Sequence, residues 1–199
     1  RTQFRHFKDY LFPLFCLGCD REGVWVCQSC LSAVGPVGVF CCPVCHAPTT
    51  SGSPCFMCLE RSSLDRHLAL IRYDEEKLFA RMIRALKYAS AKEMMEPLGR
   101  VMNIFLEKNA GRILAIDIIV PIPLHPRRLA ERGFNQAELI AEYLGARLGS
   151  PVVVALRRTR YTKTQTSLKK GERSKNIAGA FSLIANSGSE DFNWQTVLK

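Results

Sequence analysis

Eight of the nine cysteines fall into four Cys-x-x-Cys pairs within the first sixty residues: Cys16/Cys19, Cys27/Cys30, Cys42/Cys45 and Cys55/Cys58. A two-residue spacer lets one tight turn carry both sulfurs to the same side, where they can grip a single ion. Two such pairs make a closed S₄ tetrahedron, the arrangement of structural zinc, so four pairs predict two zinc sites. A disulfide framework built from the same cysteines requires an oxidising compartment. The chain opens RTQFRHFKDYLFPLFCLG, and its apolar stretch from Tyr10 to Leu17 is eight residues long. That fits neither a secretory signal nor a bilayer span. Zinc in a cytoplasmic protein is therefore the expectation. A redox Cys-x-x-Cys normally occurs once, beside a βαβ pattern.

Two pairing schemes are open. Sequential pairing joins Cys16/Cys19 to Cys27/Cys30 and Cys42/Cys45 to Cys55/Cys58. Interleaved pairing joins the first pair to the third and the second to the fourth. Sequential pairing closes shorter loops at lower entropy and is favoured. Cys41 is left over beside Cys42 and is expected to point away. His46 is a possible ligand that a full Cys₄ set makes unnecessary.

The segment to about Glu60 is too small to hold a large core, so bound metal must supply much of its folding free energy, on the order of 10 kcal/mol. The expected division is a helix and double zinc ribbon over residues 1–60 and a second domain over 61–199. Apolar residues are 47% of the 199 and charged residues 23%, an ordinary globular composition. The formal net charge is +10. Residues 1–60 hold four Lys/Arg and four Asp/Glu, so the whole excess lies beyond them. Its densest stretch, Arg157–Lys175, has eight basic residues against the single acid Glu172. Such a block attracts polyanions, either phosphorylated small molecules or nucleic acid.

Periodicity supplies the elements that must position these groups. Phe4, Phe7, Leu11 and Leu14 have helical spacing, with Pro13 as a stop. Residues 31–54 are rich in Gly, Pro, Ser and Val and suit knuckles and short hairpins rather than helices. A strand is predicted at about His67–Tyr73, then a helix over roughly Glu75–Tyr88 capped by Asp74, with Leu78, Phe79, Met82, Ile83 and Leu86 on one face. A second helix carries Met94, Leu98, Val101, Met102 and Phe105 to about Lys108, with Pro97 in its first turn and Asn109-Ala110-Gly111 as its stop. Ala115–Pro121 reads as a strand buried on both faces. A Pro- and Arg-rich loop, PIPLHPRRLAERGFN, follows. Asn135 caps a helix to about Leu148, closed by Gly149. Val152–Leu156 and Ile177–Ile184 read as further strands. This order predicts an α/β domain with a parallel sheet.

A strand that opens into a basic loop and then a helix start is a phosphate-site pattern. Arg127, Arg128 and Arg132 supply charge, Gly133 permits close backbone approach, and the helix at Asn135 offers free N–H groups and a positive dipole end. The same loop read without a ligand is a proline-stiffened segment whose arginines face water. His125 lies between Leu124 and Pro126 and reads as a surface residue before it reads as a base. Phe134, Asn135 and Gln136 support the loop and cap the helix.

The run Val120–Ala141, VPIPLHPRRLAERGFNQAELIA, resembles the signature of the ComF family, the competence protein F type of phosphoribosyltransferase-like protein. Leu156–Phe181 is similar to that family's second stretch, with Thr-x-x-Gln-Thr spacing, Arg173, and Asn176 before Gly179-Ala180-Phe181. The cysteine-rich start resembles its double zinc ribbon. The resemblance implies an N-terminal double zinc ribbon followed by a type I phosphoribosyltransferase fold with a parallel sheet. It also implies 5-phosphoribosyl-1-pyrophosphate with Mg²⁺ as ligand, and displacement of pyrophosphate by a nitrogen nucleophile as the reaction class. Leu124–Gly133, with Arg127, Arg128, Arg132 and Gly133, would contact pyrophosphate. Arg157–Lys175, with Tyr161, Lys163, Arg173 and Lys175, would be a mobile loop closing over the site. No catalytic residue is assigned.

The family's strand ending in two acids, followed by a Thr/Gly-rich turn, has no counterpart here. Glu190-Asp191 lacks the preceding apolar strand, and the expectation is a chain truncated before the sugar-donor-binding element, inactive as it stands. The competing function is a non-catalytic zinc-ribbon adaptor that binds single-stranded DNA through phosphate contacts and stacking on Tyr161, together with DNA-uptake proteins. A zinc-stabilised scaffold without activity is the third.

Overall fold

A computed structural model of the chain describes residues 13–36, 38–72, 77–88, 91–113, 115–163 and 168–184. The chain divides into two compact units, Arg1–Ala115 and Ile116–Lys199. The division expected after Glu60 falls inside the first unit. Strand β1 (Val39–Phe40) pairs antiparallel with β2 (Leu68–Ala69), and the N–H of His67 donates to the Gly52 carbonyl at 2.8 Å. Backbone hydrogen bonding thus carries the cysteine-rich segment past residue 60.

In the first unit, α1 (Gln28–Ala33) begins directly at Cys27, and a 3₁₀ turn (Phe56–Arg61) begins at Cys55. The expectation of knuckles without helix over 31–54 is corrected at its start, because the N–H of Leu31 donates to the Cys27 carbonyl at 2.9 Å and the cysteine itself seeds the turn. Helix α2 (Lys77–Tyr88) buries Met82 and Leu86 of the predicted face, leaves Leu78, Phe79 and Ile83 half-buried, and buries Ala80 as well. A 3₁₀ turn (Lys92–Met94) leads into α3 (Met95–Lys108), which buries Leu98, Val101, Met102 and Phe105. Pro97 sits in its first turn, where no N–H partner is missing. Asn109 ends it: its backbone N–H and its Nδ2 both donate to the Phe105 carbonyl, at 3.1 and 2.9 Å. Each large side chain on these faces contributes about 1.5–3 kcal/mol of burial. The helix expected over the first fifteen residues, the Asp74 cap and Glu190-Asp191 lie outside the described residues.

The second unit contains α4 (Pro126–Arg132), α5 (Gln136–Leu148), β3 (Leu156–Arg158), α6 (Lys170–Ile177) and β4 (Phe181–Leu183). The predicted helix from Asn135 to Leu148 is present. Asn135 Oδ1 accepts from the Ala137 N–H at 3.0 Å, and Gly149 closes the helix at φ 69°. The predicted parallel sheet reduces, among the described residues, to one bridge between Ile119 and Val152, with N–H···O bonds of 2.9 Å from Ile119 to Pro151 and from Val153 to Ile119. The physical reason is in the sequence. Pro121, Pro123 and Pro151 have no N–H to extend a ladder. The strand expected at Val152–Leu156 is broken where the Ala155 N–H turns back to the Val153 carbonyl at 3.0 Å, so β3 starts at Leu156. The strand expected from Ile177 starts only at Phe181, because α6 runs through Ile177. β3 and β4 then pair antiparallel, Leu156 opposite Leu183 and Arg158 opposite Phe181.

Gly145 fixes how α5 lies on this unit. A Cβ there would stand 2.8 Å from the Ser150 carbonyl oxygen and 2.8 Å from Val152 Cγ2. Gly145→Val is expected to lower unfolding free energy by about 1–3 kcal/mol, the usual range for overpacking. Urea denaturation followed by circular dichroism checks this, and an unchanged midpoint would show that the helix can step away freely.

Candidate metal centres and arginine cluster

The structure joins the cysteine pairs sequentially. Sγ atoms of Cys16, Cys19, Cys27 and Cys30 lie within 4.8 Å of one another, as do those of Cys42, Cys45, Cys55 and Cys58. Cys19 and Cys27 sulfurs are 3.6 Å apart, and those of Cys45 and Cys55 are 3.7 Å apart. A disulfide would require about 2.05 Å. A tetrahedron of 2.3 Å metal–sulfur bonds has edges of about 3.8 Å. The donor set and its spacing therefore fit structural zinc at two sites.

The two sites repeat one backbone design. In the first, the Cys16 N–H donates to Arg21 O at 2.8 Å, the Asp20 N–H to Cys16 O at 3.0 Å, and Asp20 has φ 58°. In the second, Cys42 donates to Ala47 O at 2.8 Å, His46 to Cys42 O at 3.0 Å, and His46 has φ 61°. Each site then takes its other two ligands from a helical turn begun by Cys27 or Cys55. His46 is the left-handed turn residue rather than a ligand, and its ring lies edge-on to His67 at 6.3 Å. Cys41 is buried and points away, its Sγ 2.9 Å from His67 Nδ1.

Backbone and hydroxyl donors prepare the sulfurs for charge. The N–H groups of Cys27 and Gly18 donate to Cys16 Sγ at 3.2 and 3.4 Å. These amides, with that of Cys19, outweigh the burial of Cys16 and lower its pKa. The Ser29 hydroxyl, 3.1 Å from Cys27 Sγ, and the Cys30 N–H bring Cys27 down to about 6. The Cys45 N–H leads in bringing Cys42 down to about 6. Their neighbours move the other way. Cys30 is pushed up to about 12, chiefly by its hydrogen bond with Cys27, and Cys58 up to about 12, chiefly by its hydrogen bond with Cys55, since a thiol that donates to a neighbouring sulfur holds its proton; burial adds to both. Gly18 is required by packing: a Cβ there would stand 2.6 Å from Cys30 Sγ.

The second unit gathers arginines around Tyr161 and Thr162. Contrary to the predicted open loop, Pro126–Arg132 is a helix, α4. Proline supplies its first residue, His125 Nδ1 accepts from the Arg127 N–H at 3.2 Å, and Gly133 ends it at φ 80° with its N–H on Leu129 O. Gly133 is thus a helix cap. Arg127 and Arg128 place their guanidinium carbons 5.1 and 5.2 Å from the Tyr161 ring centroid, and His125 meets the same ring edge-on at 5.3 Å. Arg127 also pairs with Glu131 at 3.2 Å. Arg128 donates to the Thr162 carbonyl at 3.3 Å, and Arg158 donates to Thr162 Oγ1. Arg132 donates instead to Gln136. Arg160 donates to Asn176 O and Ala178 O at 3.1 and 2.7 Å. Burial, then the charges of Arg128 and Arg160, lower the pKa of Arg158, and its Nε is buried without a partner.

The rest of the expected loop is only in part a loop. Arg173 and Lys175 lie on α6, where Arg173 Nε donates to Leu168 O at 3.1 Å. Lys163 is exposed and its carbonyl accepts from Asn176 Nδ2 at 3.0 Å. Sequence reasoning missed Thr162 as the shared acceptor for Arg128 and Arg158, and the carbonyls of Asn176 and Ala178 as acceptors for Arg160. The β3 pairing that turns Arg158 toward Thr162 has no local sequence mark.

Over 166 residues the chain is 31% identical to the DNA utilization protein YhgH of Escherichia coli (strain K12), spanning 81% of this chain and 72% of that protein. It is 28% identical over 136 residues to competence protein F of Haemophilus influenzae, covering 66% and 58% of the two chains. The chain belongs to the ComF family. The competence protein ComFC of Bacillus subtilis is 26% identical over 168 residues, 72% of this chain and 67% of that one. No family model and no solved structure matches the chain. Among the described residues, no helix is long and apolar enough to cross a membrane.

Zinc must displace protons from these ComF sulfurs, so its affinity rises with pH. Above about pH 6 the displaced protons come from thiols such as Cys30 and Cys58. Below it, Cys27 and Cys42 are protonated as well. Competition with a chromophoric chelator is expected to show two zinc per chain at neutral pH, and a fall of log affinity that steepens below about pH 6. A slope constant through that range would contradict the thiol assignment.

Proposed function

We propose that this ComF-family chain works in the uptake or use of DNA, and that its second unit does so by holding phosphate groups. The relatives' names, DNA utilization protein and competence protein, support the first half. The second half rests on one observation. Arg127 and Arg128 flank Tyr161, while Arg128 and Arg158 share Thr162 and stand close enough for like charge to lower Arg158. An anion placed there would relieve that repulsion.

In its finer form, the unit is a type I phosphoribosyltransferase-like domain whose ligand is 5-phosphoribosyl-1-pyrophosphate with Mg²⁺. Arg127 and Arg128 meet the diphosphate. Arg132 and Gly133 hold the end of α4, and Lys163, Arg173 and Lys175 add charge from the segment after Tyr161. Mg²⁺ arriving with the ligand would supply further positive charge for the leaving diphosphate. The chain's own groups bind and orient the leaving diphosphate and offset the charge it gains. The two zinc sites are structural in this reading.

One observation favours a second ligand. Tyr161 is 42% exposed beside two guanidinium groups, a platform on which an unpaired base can stack next to phosphate contacts. Single-stranded DNA is the corresponding ligand.

Fluorescence polarisation with a labelled oligothymidine, at several salt concentrations, tests the site. Binding that weakens with salt is expected. Arg158→Ala reduces the log–log salt slope by about one unit, and Tyr161→Ala weakens binding by about 1–3 kcal/mol. Titration with the sugar diphosphate and Mg²⁺ forms the other arm, and Arg128→Ala is expected to abolish its heat. Failure of both ligands to bind would overturn the assignment, whereas competition between them would place both at the same arginines.

A further inference from the structure

The spacer between Cys55 and Cys58 is Phe56-Met57. Cys58 turns inward as a ligand, and the 3₁₀ turn that carries it leaves Phe56 92%, Met57 79% and Leu59 62% exposed. In a 3₁₀ helix residues i and i+3 eclipse, so Phe56 and Leu59 share a face with Met57 beside them. The metal turn does not demand these residues: the corresponding spacer in the first site is Gln28-Ser29. Three adjacent bulky apolar side chains on a rigid turn form a knob that needs a cover.

The same unit carries a groove of ≈ 560 Å³. Val24, Trp25 and Pro97 give it an apolar wall, and the exposed Arg21, Glu22 and Glu93 also line it. We propose that this groove receives the Phe56–Met57–Leu59 knob of a second copy, so that copies of the chain associate head to tail. The volume lies in the range that accommodates a drug-sized apolar group. A thioether and a phenyl ring against Trp25 are favourable aromatic contacts. Glu60 and Arg61 follow the knob directly, and the groove presents both signs to meet them, Arg21 for the acid and Glu22 or Glu93 for the base. The knob cannot fill its own groove, since Phe56 is almost wholly exposed within its chain. Knob and groove are different surfaces, so the contact is heterologous and builds either a closed ring or an open chain.

Sedimentation velocity of the zinc-loaded full chain tests this. The wild type is expected to show mass rising with concentration. Phe56→Ser with Met57→Ser removes the knob, and Val24→Asp with Glu93→Lys blocks the groove. Each variant alone is expected to sediment as a single chain with its zinc content unchanged, a loss of affinity of about tenfold or more. Mixing them restores one knob–groove contact and gives a 1:1 pair that grows no further. Where a double substitution disturbs zinc content, Arg61→Glu and Glu93→Lys serve singly as exposed changes, and each is expected to weaken association. A wild type that stays a single chain throughout the micromolar range overturns the proposal. So does association that survives removal of the knob, or a mixture that fails to pair.

Discussion

Four sulfurs within 4.8 Å of one another cannot all be thiolates unless a cation sits among them. That constraint governs the first unit. It selects the turns: each Cys-x-x-Cys loop must bend so that both sulfurs face inward, and the residue after the first pair takes a left-handed φ in both sites. It also selects the donors. Amide N–H groups point at Cys16 and Cys42, and the Ser29 hydroxyl at Cys27, so some sulfurs give up their protons easily while their neighbours hold theirs. A dication converts that frustrated set into a neutralised one, and the free energy released is folding free energy. The small core around Met82, Leu86, Met94 and Val101 then has two rigid anchors to pack beside.

The same constraint explains why the spacers matter. Ligands turn in, and Phe56 and Met57 turn out, where their chemistry is free to serve something other than the metal. Ser29 instead turns its hydroxyl to Cys27 Sγ, and Gly18 is imposed by the crowding of Cys30. Elsewhere the design tolerates Gln28 and Ser29 in one site and Phe56 and Met57 in the other. A backbone plan that is duplicated so closely, with matching hydrogen bonds at Cys16 and Cys42, differs mainly in what it shows to solvent.

Features with a local cause were legible in the sequence. The sulfur spacing, the Asn135 cap, the Gly149 stop, the Pro97 first turn and the buried face of α3 each follow from residues a few positions apart, and each is found where it was expected. The sequential sulfur pairing followed from loop length alone. Features decided by distant pairing were not legible. Ala115–Pro121 has the composition of a buried parallel strand, yet its prolines leave one bridge at Ile119. Pro126 reads as a loop residue until His125 is seen to cap the amide of Arg127, which makes the proline a helix start. In the candidate site, Arg127, Arg128 and Tyr161 are legible in the sequence, whereas the place of Arg158 beside Thr162 depends on the register of β3 with β4.

Charge separates the two halves of the chain's chemistry. In the cysteine-rich segment positive and negative side chains cancel, and the charge that matters is carried by sulfur and answered by metal. The basic excess falls entirely beyond residue 60, and part of it is held where burial, then the charges of Arg128 and Arg160, lower the pKa of Arg158. Water screens such repulsion on an open surface, but Thr162 is buried and Arg158 partly so. Side chains with four or more rotatable bonds would swing apart if nothing held them. Here the Thr162 hydroxyl and carbonyl, and the carbonyls of Asn176 and Ala178, tie three guanidinium groups down. Neutral acceptors fix position without cancelling charge. A carboxylate at those points would have satisfied the same donors and removed the positive field, so the choice of hydroxyl and carbonyl partners leaves the charge of these three guanidinium groups uncancelled.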